Sequence, residues 1–253
     1  MTALAVLLGH EIGYSASPAM HNAAFAALDL DARYELRDIS PDALADEVEA
    51  LRASDRIGAN VTKPFKVAVC NLVDELGPEV RRLGAANTIV RYGDRLVARN
   101  TDLAALRAEL PPGIRRAVVL GSGGASRAAV DALKSSGCDA VLVLDRARWP
   151  NMPGALMTAQ LVINATPIGT ASDETPVPAD FLRSGMAVLD LVYRPSPTRL
   201  VREARAAGGR AHGGAGMLLR QAVFSFSMWA DRDAPVDIMR DALRLELGAG
   251  ADV

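Results

Sequence analysis

The stretch Ala117-Val118-Val119-Leu120-Gly121-Ser122-Gly123-Gly124-Ala125-Ser126-Arg127-Ala128 decides the fold. A pure apolar strand enters a glycine turn and continues as a helix, Ala125–Lys134, which is how a strand, a tight turn and a helix N-terminus follow one another. Gly121 permits the turn. Gly123, with Gly124 and Ala125 behind it, lets backbone N–H groups approach a pyrophosphate at the positive helix end. Ser126 stands where a third glycine is usual, so a plain structural turn is the competing reading. A second buried strand, Ala140–Leu144, ends at Asp145, 24 residues beyond Gly121. That is close to the roughly 20 at which an acidic residue accepts ribose hydroxyl hydrogen bonds. Arg146 and Arg148 follow, and guanidinium groups there favour a 2′-phosphate that Asp145 would repel, so the dinucleotide is NADP or NAD.

Working outward, the apolar runs Leu161–Asn164 and Ala187–Leu191 supply two more strands, and Arg199–Ala207, Met217–Trp229 and Val236–Leu247 read as helices. Upstream, Pro111-Pro112-Gly113 is a breaker cluster suited to a linker. Before it, strand Leu4–Leu8 is followed by Ser17-Pro18, a hydroxyl cap and a first-turn proline opening helix Ala19–Leu28. Strand Arg33–Ile39 precedes Ser40-Pro41, which repeats the device before helix Asp42–Ala53. Strand Ile57–Thr62 stops at Pro64, Phe65–Val73 reads as the next helix, and Thr88–Val97 forms a hairpin around Tyr92-Gly93-Asp94. The βαβαβα order predicts a mainly parallel sheet covered by helices. Between Leu144 and Leu161, Trp149-Pro150 with Pro153-Gly154 predicts a non-helical segment.

The 253 residues suffice for one large or two modest domains, and half of them are apolar with 23% charged, which excludes a disordered chain. A net charge of −2 leaves no electrostatic footprint for nucleic acid or an anionic membrane surface, so the expected partner is a small molecule. Cys70 and Cys138 lack metal or redox spacing and suit a reducing cytoplasm. Ala3–Leu8 reads as a buried strand rather than a signal peptide, and no run approaches the roughly 18 apolar residues of a membrane span. His10, His21 and His212 are not spaced as metal ligands, and no G-x-S-x-G elbow supports a serine hydrolase.

Asn60-Val61-Thr62-Lys63-Pro64-Phe65-Lys66 joins a strand to the next element, with Asn60 and Thr62 on one face and Lys66 in the following turn. A half-buried lysine can exchange a proton with an alcohol, and the carboxylate of Asn100-Thr101-Asp102 could orient its ammonium group and bind a substrate hydroxyl. A solvated surface charge is the ordinary alternative for any lysine.

Taken with Ser15-Ala16-Ser17-Pro18-Ala19-Met20-His21-Asn22, Gly84-Ala85-Ala86-Asn87-Thr88, Asn164-Ala165-Thr166-Pro167, Asp190-Leu191-Val192-Tyr193 and Gly216-Met217-Leu218 with Gln221, these motifs resemble the shikimate dehydrogenase family, in order over nearly the whole chain. The resemblance implies an α/β enzyme: an αβα substrate domain (1–101), a Rossmann NAD(P)-binding domain (102–215) and C-terminal helices (216–253) returning to the first domain. It implies reversible reduction of 3-dehydroshikimate to shikimate, toward chorismate and the aromatic amino acids, in a cytoplasmic monomer or homodimer. Lys66 would be the general acid/base and Asp102 its partner. Ser15, Ser17 and Tyr193 would lie at the substrate carboxylate, and Thr62, Asn87 and Gln221 around the ring hydroxyls. Gly121, Gly123, Gly124, Ala125, Asp145, Arg146, Thr166, Gly216 and Met217 would bind the cofactor.

Several departures from the family's pattern matter, among them a segment between Leu144 and Leu161 shorter than is usual there and Leu103-Ala104-Ala105 after Asp102 in place of common glycines. Asp145-Arg146-Ala147 replaces the family's usual Asn-Arg-Thr and shifts the expectation toward NAD or mixed use. Thr170 replaces a frequent methionine. Tyr14 stands where histidine is common, beside the carboxylate site, which keeps quinate open as a substrate. Competing readings are a methylenetetrahydrofolate dehydrogenase, whose Tyr-x-x-x-Lys is missing before Lys63 and Lys66, and a dinucleotide-binding paralogue that has lost catalysis.

Overall fold

In the computed structural model, which describes residues 2–248 and 251–253, the chain forms two units. The first is Met1–Asp102 with Leu219–Glu246, and the second Leu103–Leu218 with Leu247–Val253.

The first unit begins with β1 (Ala3–Gly9), α1 (Ser17–Ala27), β2 (Ala32–Asp38), α2 (Leu44–Ala50) and β3 (Arg56–Val61), continues through β4 (Glu75–Leu76), α3 (Pro78–Leu83), β5 (Thr88–Tyr92) and β6 (Arg95–Arg99), and reaches the start of α4 (Thr101–Glu109). Its sheet has the order β2-β1-β3-β5-β6-β4. β1 pairs in parallel with β2 and β3, while the β5–β6 hairpin joins β3 antiparallel. β1 is central and buried, which explains its unbroken apolar run. Leu4, Val6 and Leu8 pack with Val48, Leu51, Phe65, Val69 and Ile89 in one core.

Three local expectations are corrected here. Ser17 does not cap α1: Ala16 is the cap residue, and the Ser17 N–H is accepted by Ser15 Oγ at 3.3 Å, leaving the Ser17 hydroxyl without a hydrogen bond among the described residues. Ser40 likewise makes no side-chain cap, and the predicted helix 42–53 divides into a 3-10 turn, Pro41–Ala43, and the shorter α2. The predicted helix 65–73 is only a 3-10 turn at Ala68–Asn71. The Lys66 carbonyl that an α-helix would offer to Cys70 N–H instead accepts from Ala86 N–H at 2.7 Å, and Cys70 N–H donates to the Val67 carbonyl. Core packing of Phe65 and Val69 overrides a segment already weakened by β-branched Val67, Val69 and Val73.

The second unit contains β7 (Arg116–Leu120), α5 (Gly124–Ser135), β8 (Ala140–Leu144), α6 (Met152–Thr158), β9 (Leu161–Asn164), β10 (Ala187–Asp190), α7 (Arg199–Ala206) and β11 (Arg210–His212). All five strands are parallel, in the order β11-β10-β9-β7-β8. The order reverses between β7 and β9, so the turns leaving those two strands open the kind of crevice in which parallel sheets bind ligands. The segment expected to be non-helical is helical: a 3-10 helix, Arg146–Asn151, runs into α6. Pro153 is tolerated because it lies in the first turn of α6, where a missing N–H breaks no helical bond, whereas Pro150 lies inside the 3-10 helix itself.

The chain leaves the first unit within α4 and returns to it within α8 (Ala215–Ala230), followed by α9 (Val236–Leu247). In the first unit, Trp229 Nε1 donates to the Ile89 carbonyl at 2.9 Å, and Gly58 leaves room for the indole, since a Cβ there would lie 2.3 Å from Nε1. No helix of the described residues is long and apolar enough to cross a membrane.

Candidate active site

β3 delivers Asn60 to its end and releases Lys66 from the turn beyond, while the hairpin sets Asn87 at the start of β5 and Thr101-Asp102 at the start of α4. Lys66 Nζ meets Asp102 Oδ2 at 2.6 Å, with the lysine side chain 21% and the aspartate 6% exposed. A buried carboxylate needs more than one partner. Asn87 Nδ2 supplies it, donating to Asp102 Oδ1 at 2.8 Å and to Thr101 Oγ1 at 2.9 Å. The Asn87 amide cannot turn over without loss, because its Oδ1 accepts from Thr101 N–H at 2.7 Å. An ammonium and a carboxylate are thus held at the mouth of a buried polar cluster.

The cluster goes deeper than the sequence motifs suggest. Tyr34 Oη donates to Asn60 Oδ1 at 2.8 Å, and Asn60 Nδ2 donates to Ser225 Oγ at 2.9 Å and to the Asn87 carbonyl at 3.2 Å. Ser225 Oγ donates to the Gln221 carbonyl at 2.9 Å and lies 3.0 Å from Thr88 Oγ1. Asn60, which the sequence places on one face with Thr62, is thus joined in this cluster by Thr88, Thr101 and Ser225, which sequence reasoning did not single out. Thr88 and Thr101 sat inside the quoted motifs, and Ser225 lies one helical turn beyond Gln221, which was the available signal. Among the other expected residues of this unit, Gln221 is buried, Ser15 and Ser17 sit at the entry to α1, and Thr62 follows β3 with its methyl group against Gly9, where a Cβ would lie 2.6 Å away.

In the second unit, Gly121 has φ +110°, and a Cβ there would lie 2.8 Å from the Ala165 carbonyl oxygen, so the glycine lets the turns after β7 and β9 close on each other. Ser126, in place of a third glycine, ties this turn by donating to the Gly121 carbonyl at 2.8 Å. A Cβ on Gly123 would meet nothing within 4 Å, and no side chain caps the N-terminus of the 12-residue α5. Open space over free helix N–H groups fits the pyrophosphate of a dinucleotide.

Facing that turn, Asn164 Oδ1 accepts from Thr166 Oγ1 at 2.6 Å, and Asn164 Nδ2 donates to Asp190 Oδ1 at 2.8 Å. Asp190 also accepts from Thr198 Oγ1 and Val192 N–H, yet burial pushes its carboxyl up to about 6. Asp145 Oδ1 accepts from Arg148 N–H at 3.0 Å and caps the 3-10 helix, which leaves Oδ2 without a partner among the described residues and open to a ribose hydroxyl. Arg146 and Arg148 are exposed and form no ion pair among the described residues, which suits a 2′-phosphate. Ala125 is the second residue of α5, Tyr193 follows β10 half-buried, and Gly216 and Met217 lie in the first turn of α8, where a Cβ on Gly216 would lie 3.0 Å from Glu109 Oε1.

A profile for the shikimate dehydrogenase substrate binding domain matches residues 7–89, and one for the shikimate 5′-dehydrogenase C-terminal domain matches residues 214–244. Shikimate dehydrogenase (NADP(+)) of Moorella thermoacetica is 38% identical over 99% of this chain and 95% of its own length. That of Haloarcula marismortui is 40% identical over 95% of this chain and 98% of its own length. The crystal structure of shikimate 5-dehydrogenase from Thermus thermophilus, in complex with NADP(H) and shikimate, is similar at TM-score 0.87 and 36% identity, covering 98% of this chain and 100% of that one. Quinate dehydrogenase from Corynebacterium glutamicum in complex with NAD is similar at TM-score 0.85 and 27% identity, covering 95% and 98%.

Proposed function

This chain belongs to the shikimate dehydrogenase family, and from that premise we propose that it catalyses the reversible NADP-dependent reduction of 3-dehydroshikimate to shikimate, in the cytoplasm, as a monomer or a homodimer. The observation that carries the reading is the 2.6 Å Lys66–Asp102 pair held by Asn87. NADPH, when bound, supplies the hydride. As the substrate carbonyl is reduced, negative charge grows on its oxygen, and Lys66 Nζ gives that oxygen a proton; in the reverse direction Lys66 takes the proton from the alcohol. Asp102 holds the ammonium in line and accepts from the substrate hydroxyl, while Asn87 keeps the carboxylate from rotating away. Ser15 and Ser17 bind the substrate carboxylate through their hydroxyls, and Thr62 and Gln221 take ring hydroxyls. The glycine turn 121–124 with Ala125 would hold the pyrophosphate of the dinucleotide, and Arg146 would pair with its 2′-phosphate.

Oxidation of quinate with NAD is the second reading, favoured by Asp145 beside the ribose site and by the likeness to an NAD-bound quinate dehydrogenase. A matrix of shikimate and quinate against NADP and NAD, read by formation of reduced nicotinamide, separates the two. The proposal expects the shikimate–NADP combination to have the highest kcat/KM; a higher value for quinate with NAD overturns it. In the same assay Lys66→Ala lowers kcat by about 10²–10⁴, some 3–5 kcal/mol of transition-state stabilisation, with a smaller change in KM. Undiminished turnover removes Lys66 from the mechanism.

A further inference from the structure

We infer that Lys63 is the counter-charge for the substrate carboxylate, an inference that rests on the reading of Ser15 and Ser17 as its hydrogen-bonding partners. Strand order in the first sheet reverses at β1, between β2 and β3, so the loops leaving β1 and β3 are the ones that face a common ligand. They touch: the Thr62 methyl group lies 2.6 Å from where a Gly9 Cβ would be, and His10 N–H donates to the Lys63 carbonyl at 3.1 Å. The first loop carries Tyr14 and Ser15 and leads into Ser17 at the start of α1, and the second carries Lys63. Their side chains meet as well, because Lys63 Nζ sits over the Tyr14 ring, 5.3 Å from its centroid.

Charge is what singles out Lys63. The two serine hydroxyls bring none, and the ammonium of Lys66 is already neutralised by Asp102 at 2.6 Å. Among the described residues Lys63 forms no ion pair. An aromatic face orients an ammonium without cancelling its charge, so the ring of Tyr14, the chain neighbour of Ser15, holds a cation that a carboxylate could still complete. Lys63 is exposed, which sets the scale of the effect to that of a surface pair and makes it sensitive to salt.

The test is steady-state oxidation of shikimate and of its uncharged methyl ester by wild type, Lys63→Ala and Lys63→Arg, at low and high salt. Lys63→Ala is expected to raise KM for shikimate about three- to fivefold at low salt, with kcat within about twofold. The rise shrinks at high salt, is absent for the ester, and is reversed in Lys63→Arg. An unchanged KM for shikimate, or an equal rise for acid and ester, overturns the role of Lys63 while leaving the proposed reaction standing. Failure of the wild type to oxidise shikimate overturns both.

Discussion

His21 shows what a single side chain costs and contributes in this core. It is fully buried, stacked on Tyr34 with ring centroids 4.3 Å apart, and neither ring nitrogen has a hydrogen-bond partner among the described residues. Burial lowers its pKa from 6.5 to about 3. The unfolded chain therefore takes up this proton below pH 6.5 while the folded protein does not, and the stability present above pH 6.5 is lost as pH falls toward 3, by roughly 3–5 kcal/mol. Asp190 runs the other way. Its folded pKa of about 6 exceeds the usual 3.8, so its contribution is full below 3.8 and is lost as pH rises through 6. Between pH 6 and 4 the two slopes oppose each other. The expected outcome in urea titrations is that His21→Leu, which strands no partner, gains on the wild type as pH is lowered through that window, whereas Asp190→Asn falls behind it. Parallel stability curves for His21→Leu and wild type refute the assignment.

At the scale of elements, the glycine turn between β7 and α5 separates conformational need from ligand space. Gly121→Ala must place a Cβ 2.8 Å from a backbone oxygen at φ +110°, and is expected to cost about 1–3 kcal/mol of stability as well as cofactor affinity. Gly123→Ala, at φ −79° with open space around it, is expected to leave the urea midpoint unchanged and to weaken NADP binding about tenfold. Equal losses of stability in the two variants contradict this division. The turn was legible because strand, glycines and helix are contiguous in sequence. The element after β3 was not: whether Phe65–Val73 coils into an α-helix depends on Ala86, some twenty residues away, claiming the Lys66 carbonyl. Asp145 was legible as the acid at a strand end, but its use as a cap for Arg148 N–H follows from a 3-10 helix whose Pro150 argued against any helix.

Across the whole molecule, chain order and unit membership do not coincide. Residues 219–246 belong to the first unit although the second intervenes, and they bring Ser225, Phe226 and Trp229 to Asn60, His21 and Ile89. A chain ending at residue 218 keeps every strand of both sheets yet leaves Asn60 and Thr88 without Ser225 and opens the aromatic cluster around His21. It is expected to lose near-ultraviolet circular dichroism from the first unit and its cooperative unfolding transition, while the strands of the second unit stay ordered. Retention of a native transition by that truncation contradicts the assignment of helix α8 to the first core.

What the amino-acid sequence determined by itself was whatever is encoded in neighbouring residues: the glycine turn, the alternation of strands and helices, and the lysine and aspartate motifs whose residue types name their chemistry. Tertiary structure alone decided which distant groups share a proton or a hydrogen bond. Asn87 could be read as a ligand for substrate hydroxyls, but only the fold commits both its amide protons to Thr101 and Asp102. Ser225 could be read as one more helix residue, but only the fold sets it against Asn60, 165 positions away. The physical reason is that backbone preferences act over a few residues, whereas a buried polar group must be satisfied by whatever the packed chain brings within about 3 Å of it, and that is a property of the whole.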